Sequence, residues 1–233
     1  MARIPAAERR AELVAAAVRV IAVHGVDGAT TRRIAQEANA PLATLHYCFA
    51  AKEELFAEVF EYVSGQYREV LTRNAVHSDV STSARALLRG LLEWYLENRD
   101  FGASIIELVS WAQRQEGAQA EMVYNEAFAT MRTILETAKT AADRSLDSDT
   151  IDALTYIVSA LSDGFALNWL VFTDRAAAER QIELTVGVLD AWMAANLGTV
   201  AAPAADSAPH APESPEASSE RNLRSLVSWV GVD

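Results

Sequence analysis

From Leu13 to Leu197 apolar residues return every three or four positions, and no stretch shows the strict alternation of a half-buried strand. Such a stripe is buried only when another helix covers it, so the chain is restricted to helices packed on helices. Leu13, Ala17, Val20, Ile21 and His24 share one face of a first helix, and Gly25 supplies its left-handed stop. Thr30 or Thr31 caps a short second helix running through Asn39, with Ile34, Ala35 and Ala38 inward. Pro41, whose missing N–H costs nothing in a first turn, opens a third helix that extends to about Tyr47. A long amphipathic segment starts near Lys52 and continues through Leu71. Further helices are expected over residues 82–98, 100–114, 119–144, 150–172 and 175–197, joined by short polar connections like those between antiparallel neighbours in a bundle.

The charge is distributed unevenly along these elements. Of the net −12, residues 1–52 hold +3 and the remaining residues −15, so a polyanionic partner would meet the N-terminal end. A single cysteine, Cys48, excludes a disulfide framework and any metal site made of cysteines alone; the fold must be held by packing, for which 51% hydrophobic residues suffice. Asp152, Asp163 and Asp174 punctuate the most apolar stretch, and Glu8, Glu12 and Arg19 break up the N-terminal one, so no uninterrupted run approaches the roughly 20 residues of a membrane helix. The expectation is a cytoplasmic protein with no membrane partner. Residues 199–222 are rich in Ala, Pro, Ser and acid, too poor in large apolar groups to offset ordering entropy, and are expected to be disordered. Within 223–233, Leu223, Leu226, Val227 and Val230 are spaced for a short last helix.

Short helices two and three, separated by a tight turn at Asn39-Ala40, have the helix-turn-helix arrangement in which the second member enters the major groove of DNA. The residue types agree with that role. Thr30 and Thr31, with the free N–H groups opening helix two, can hold a phosphate, and Arg32 and Arg33 supply charge beside it. Pro41, Leu42, Ala43, Thr44, His46 and Tyr47 are presented on helix three, whereas Leu45 faces inward. Thr44 and His46 can hydrogen-bond base edges or phosphates, Leu42 can touch a thymine methyl, and Tyr47 and Lys52 can grip the backbone. A solvated surface is the alternative for His46.

The stretch TTRRIAQEANAPLATLHYCFAAKEELFAEVF, and more broadly residues 8–63, resembles the DNA-binding signature of the TetR/AcrR family of transcriptional regulators. The resemblance implies an all-α fold of about nine helices, with an N-terminal three-helix DNA-binding domain (6–66) and a C-terminal helical bundle for ligand binding and dimerisation (67–198). It also implies repression of a palindromic operator, relieved by a small molecule. By the same resemblance Thr31 and Arg32 open the second helix, Pro41 to Tyr47 form the recognition helix, Phe49 packs beneath it, and Lys52 contacts the DNA backbone. Two departures stand out. Asn39-Ala40 replaces the family's common Gly-Val, so Asn39 must take a positive backbone angle. Ala50-Ala51 replaces a turn with a capping serine, a loss of roughly 1 kcal/mol for the start of helix four.

In the body, Trp94, Trp111, Tyr124, Phe128, Met131, Phe165 and Trp169 sit on apolar stripes that could converge on a cavity; ordinary core packing is the alternative for each. Glu107, Asp163 and Asn168 are polar residues flanked by apolar ones, candidates to orient a ligand. The last two long helices are apolar on more than one face, which suggests a homodimer joined through them. No HExxH, Walker or nucleophile-elbow pattern occurs, so neither catalytic nor metal-binding residues, nor a resident cofactor, are expected. The competing reading is a ligand-independent DNA-binding or interaction protein with a solid body; an enzyme is the least supported class.

Overall fold

The computed structural model describes residues 5–76, 78–114, 119–140 and 146–197. Among them there are nine helices and no strand: α1 (Ala6–Gly28), α2 (Thr31–Glu37), α3 (Leu42–Cys48), α4 (Lys52–Arg73), α5 (Val80–Glu97), α6 (Arg99–Gln113), α7 (Gln119–Thr137), α8 (Ser148–Phe172) and α9 (Arg175–Asn196). The expected tail over 199–222 and short helix over 223–233 lie outside the described residues.

Local chemistry accounts for most element boundaries. Thr30 is the cap of α2, its hydroxyl accepting from the Arg33 N–H at 3.3 Å. Asp79, Asp147 and Asp174 cap α5, α8 and α9 by accepting from the N–H groups of Thr82, Thr150 and Ala177 at 2.8, 2.9 and 3.0 Å. Because those bonds form to the ionised carboxyl, the Thr82 backbone N–H holds Asp79 below the usual carboxylate range, and Thr150 does the same for Asp147, its hydroxyl first. Gly25 takes φ 67° as expected, but the chain then makes one further helical turn to Gly28. His24, expected on the inner face of α1, is exposed because it lies past the stripe of Leu13, Ala17, Val20 and Ile21. Pro41 caps α3 rather than occupying its first turn. The segment expected as 119–144 ends as a helix at Thr137: its apolar repeat of Val123, Ala127, Met131 and Leu135 stops at Ala138.

Packing divides the molecule into a head and a body that share helices. In the head, Leu13, Ile21, Ile34, Leu45 and Phe49 are fully buried where α1, α2 and α3 meet. In the body, α5 lies against α8 and α9, α4 against α7, and α6 against α8. Two elements join the halves. One is α4, 22 residues or about 33 Å long, which begins under the head and ends in the bundle. The other is α6, which packs along α1. One continuous apolar core runs through both halves.

The 25-residue α8 is long and apolar enough to cross a membrane, with a mean hydropathy of 1.3 in its most apolar window, the sole such helix among the described residues. Its composition has a different explanation. Ile151, Leu154, Val158, Phe165 and Trp169 form a buried stripe against the bundle, while Tyr156, Leu167 and Val171 form a second stripe that is 53–66% exposed. On α9 the same doubling occurs, with Ile182, Val186 and Leu189 inward and Leu184 and Val188 outward.

Candidate functional site

The head presents α3 on its surface as one face of a short helix. Leu45 and Cys48, four and seven residues past the Pro41 cap, are buried and anchor it, so the remaining positions turn outward. Pro41, Leu42, Ala43 and His46 are exposed, Thr44 is half-buried and Tyr47 is 79% exposed. The turn before it depends on Asn39, whose φ of 49° is a conformation that Asn adopts more readily than other non-glycine residues. Ala40 closes the turn by donating its N–H to the Ala35 carbonyl at 2.8 Å.

Around α3 the cationic side chains are not equally free. Arg32 is exposed at the start of α2, beside Thr31. Arg33, expected to supply charge to the same spot, also points to solvent but donates to the Gly28 carbonyl at 2.8 Å, closing the end of α1. Lys52 extends over the Phe56 ring one turn along α4, 4.9 Å from its centroid, which holds the ammonium near the N-terminus of α4. Ala51 gives α4 no side-chain cap, as expected. That end is nevertheless tied: the Glu54 carboxylate accepts from the Ala50 N–H at 2.9 Å, and Arg10 reaches across from α1.

Arg10 was not legible as a functional residue, yet it organises the head. Its guanidinium donates to Glu54 at 2.8 Å, to Glu58, and to the Cys48 carbonyl at the end of α3, while lying 4.3 Å from the centre of the Phe49 ring. The Arg10 hydrogen bond, and then the Ala50 N–H, hold Glu54 below the usual carboxylate range. One side chain thereby fixes α1, the end of α3 and the start of α4 together.

The body contains a cavity in two chambers. The outer has a volume of about 240 Å³ and is walled by Tyr95, Ile105, Val109, Tyr124 and Asp163, among others. The inner is a narrow recess of about 20 Å³, little more than one water needs, reached by Tyr67, Leu91, Met131, Ser159 and Ser162. Ile105, Tyr124 and Asp163 border both chambers. The Tyr124 hydroxyl donates to Asp163 Oδ2 at 3.0 Å, and the hydroxyls of Tyr67 and Tyr95 are hydrogen-bonded to each other. Burial raises the Asp163 carboxyl above its ordinary value, with the Tyr124 bond opposing that shift. Burial, reinforced by the Asp163 charge, pushes Tyr67 and Tyr124 well up, so both remain protonated donors.

Of the ten residues expected around a ligand, the structure brings Tyr124, Met131 and Asp163 to this cavity. Seven line neither chamber. Glu107 is exposed, its carboxylate lying 3.1 Å from the point a Cβ on Gly25 would occupy, at the contact of α6 with α1. Trp111 faces the head, its ring 5.8 and 6.5 Å from those of Phe56 and Phe60. Trp94 packs on Phe101 at 4.7 Å and on Tyr67 behind the wall, and Phe128 packs edge-on against Tyr124. Phe165 and Trp169 are buried in the core, and the exposed Asn168 donates back to the Gly164 carbonyl at 2.8 Å. Tyr67, Tyr95, Ser159 and Ser162 were missed. For the last two a signal existed, since Ser159, Ser162 and Asp163 share one helical face set among apolar residues. No group of three metal-ligating side chains converges among the described residues.

A three-helix head exposing a recognition helix, set on a cavity-bearing helical body, defines a helix-turn-helix transcriptional regulator. Residues 13–59 match the family described as bacterial regulatory proteins, tetR family. The HTH-type nicotine-responsive transcriptional repressor HdnoR of Paenarthrobacter nicotinovorans is 51% identical over 53 residues, 23% of this chain and 27% of that protein. The HTH-type transcriptional regulator PksA of Bacillus subtilis (strain 168) is 25% identical over 188 residues, 74% of this chain and 84% of that protein. Among solved structures, a TetR-family transcriptional regulator from Rhodococcus sp. superposes with a TM-score of 0.65 at 18% identity, over 79% of this chain and 98% of its own. The head of this chain is thus similar to the tetR family of bacterial regulatory proteins over residues 13–59, and the body is similar to such regulators in fold.

Proposed function

We infer that this regulator works in the cytoplasm as a homodimeric repressor that holds a palindromic operator through α3 and releases it when a small molecule occupies the body cavity. The observation that carries the DNA half is the outward face of α3. An exposed leucine and a 79% exposed tyrosine on a helix whose other side is anchored have no use in the fold itself and suit base and backbone contacts. The chain divides functionally near residue 66 of α4, with 6–66 reading DNA and 67–198 sensing and dimerising. The outer stripes of α8 and α9 support the dimer: Tyr156, Leu167, Val171, Leu184 and Val188 share adjoining surfaces with small residues such as Ala160, Gly187 and Ala191. Two-fold pairing of those helices would bury them and demand an operator of matching symmetry.

Coupling follows from which helices do two jobs. Lys52 and Tyr67 stand on the same helix, roughly 22 Å apart along its axis. On α6, Ile105, Ile106, Val109 and Ser110 wall the outer chamber while Trp111 presses on the head. A ligand that favours one position of α4 and α6 shifts DNA affinity by its differential affinity for the two arrangements. HdnoR is nicotine-responsive by name, but its likeness to this chain covers 23% of the sequence, so nicotine is not carried over.

Titration of duplex DNA over a range of salt concentrations tests the DNA half. Lys52→Ala should weaken binding to all sequences alike and reduce the slope of log K against log salt by about one. Thr44→Ala should instead change which bases are preferred. An unchanged salt slope in Lys52→Ala would contradict the backbone contact assigned to it.

A further inference from the structure

Asp163 is an expensive residue for this fold to carry. It projects from the middle of α8 into the wall shared by both chambers, and among the described residues its one hydrogen bond comes from the neutral hydroxyl of Tyr124. Among the described residues no lysine, arginine or histidine lines either chamber. Arginines of the surrounding bundle pair with other carboxylates: Arg68 with Glu126, Arg73 with Glu69, Arg85 with Asp190, Arg89 with Glu183, Arg132 with Asp152 and Arg175 with Glu97. A carboxylate taken partly out of water without a cation is a destabilising element, and nothing in the packing of α8 requires it.

The rest of the wall shows what would complete it. Tyr67, Tyr95 and Tyr124 place three aromatic rings around the chambers, and the remaining lining is aliphatic except for serine hydroxyls. A ring wall with a single unneutralised carboxylate is complementary to a compact organic cation: the carboxylate supplies the counter-charge, the ring faces attract the charge further, and the aliphatic side covers an apolar body. The same wall repels an anion. We propose that the cavity is selective for a small protonated or quaternary amine with an apolar body, held by Asp163 as counter-ion. This rests on the reading of the cavity as an effector site and specifies the effector's class.

The titratable groups facing Asp163 are Tyr67 from α4, Tyr95 from α5 and Tyr124 from α7, all protonated near neutrality. Among the described residues, the pH dependence of the cavity is therefore that of Asp163. Its pKa is raised in the folded state, so folding takes up a proton there, and stability falls as pH rises from the ordinary aspartate value through the folded one. Removing the charge should relieve that loss at neutral pH.

The test uses the full-length chain and three probes of similar size and opposite character: benzylammonium, benzyl alcohol and benzoate. By calorimetric titration at pH 7, benzylammonium should bind at least tenfold more tightly than benzyl alcohol, and benzoate should not bind. Asp163→Asn should bring benzylammonium down to the level of benzyl alcohol while raising the melting temperature of the ligand-free protein, a change that a merely disruptive substitution would not produce. Equal or tighter binding of the alcohol or benzoate, an unaltered preference in Asp163→Asn, or no binding of benzylammonium at millimolar concentration would each overturn the proposal. DNA affinity measured on the same samples separates the two readings. A benzylammonium complex that depends on Asp163 but leaves DNA binding unchanged upholds the cation site and sinks its coupling to the head. Release of DNA by benzyl alcohol at the same or lower concentration than benzylammonium, unchanged in Asp163→Asn, does the reverse.

Discussion

Leu184→Glu should be a folded monomer whose affinity for operator DNA is about a hundredfold or more below wild type. Leu184 is 70% exposed on α9 and contributes nothing to the core of its own protomer, so the stability of the isolated chain should change by no more than about 0.5 kcal/mol. In a two-fold interface the same position is buried twice, and two unpaired carboxylates would be driven into an apolar contact with Tyr156, Leu167 and Val188. Loss of the dimer then removes the second half-site contact, which otherwise forms at the high effective concentration of a tethered module and typically contributes 10²–10⁴ in avidity. Sedimentation reads the mass, circular dichroism the fold, and a DNA titration the affinity. A variant that stays dimeric, or a monomer that binds the operator as tightly as wild type, would refute the assignment of this face.

Trp111→Ala should separate ligand binding from DNA release. Trp111 lines neither chamber, so ligand affinity should stay within about threefold of wild type, whereas its ring joins α6 to Phe56 and Phe60 of α4 beneath the head. Truncation leaves a void at that joint. For a half-buried tryptophan the loss of stability falls near the lower end of the large-to-small range, roughly 3 kcal/mol, visible as a shifted urea midpoint. The more telling change is in the response to ligand. A coupling of 1–3 kcal/mol corresponds to a 5- to 150-fold change in operator affinity, and with the contact removed the response should fall below about threefold. The check is a DNA titration with and without a ligand found by thermal-shift screening. An undiminished response would mean that the signal runs through the Lys52–Tyr67 span of α4 without help from α6.

Most of the architecture was legible because helical periodicity and caps are local. The positive φ of Asn39, the cap at Thr30, the inward turn of Leu45 and the missing cap at Ala51 all follow from residue type and spacing. The cavity was harder because its walls come from α4, α5, α6, α7 and α8, and convergence of five helices has no sequence signature. The contrast between Glu107 and Asp163 is instructive. Both are flanked in sequence by apolar residues, but the relevant neighbours on a helix lie three and four positions away. Ser159 and Ala166 flank Asp163 on its own face and both are buried, which turns the carboxylate inward. Glu107 lies opposite the buried stripe of Ile105, Leu108 and Ala112 and faces out. Asn168, between the exposed Gly164 and Val171, is outward for the same reason. Arg10 was invisible for another: its partners Cys48, Glu54 and Glu58 are roughly 40 residues away or more, and only the packed head brings them together.

Recognition of a two-fold symmetric DNA sequence through α3 is what everything else in this protein serves. Selection of bound duplexes from a randomised pool by the full-length protein, followed by sequencing, tests it most directly. The expected product is a palindrome whose half-sites are separated by about one helical turn or a multiple of it, with the enriched bases altered by Thr44→Ala. Recovery of DNA with no common sequence, or of a motif without two-fold symmetry, would contradict it.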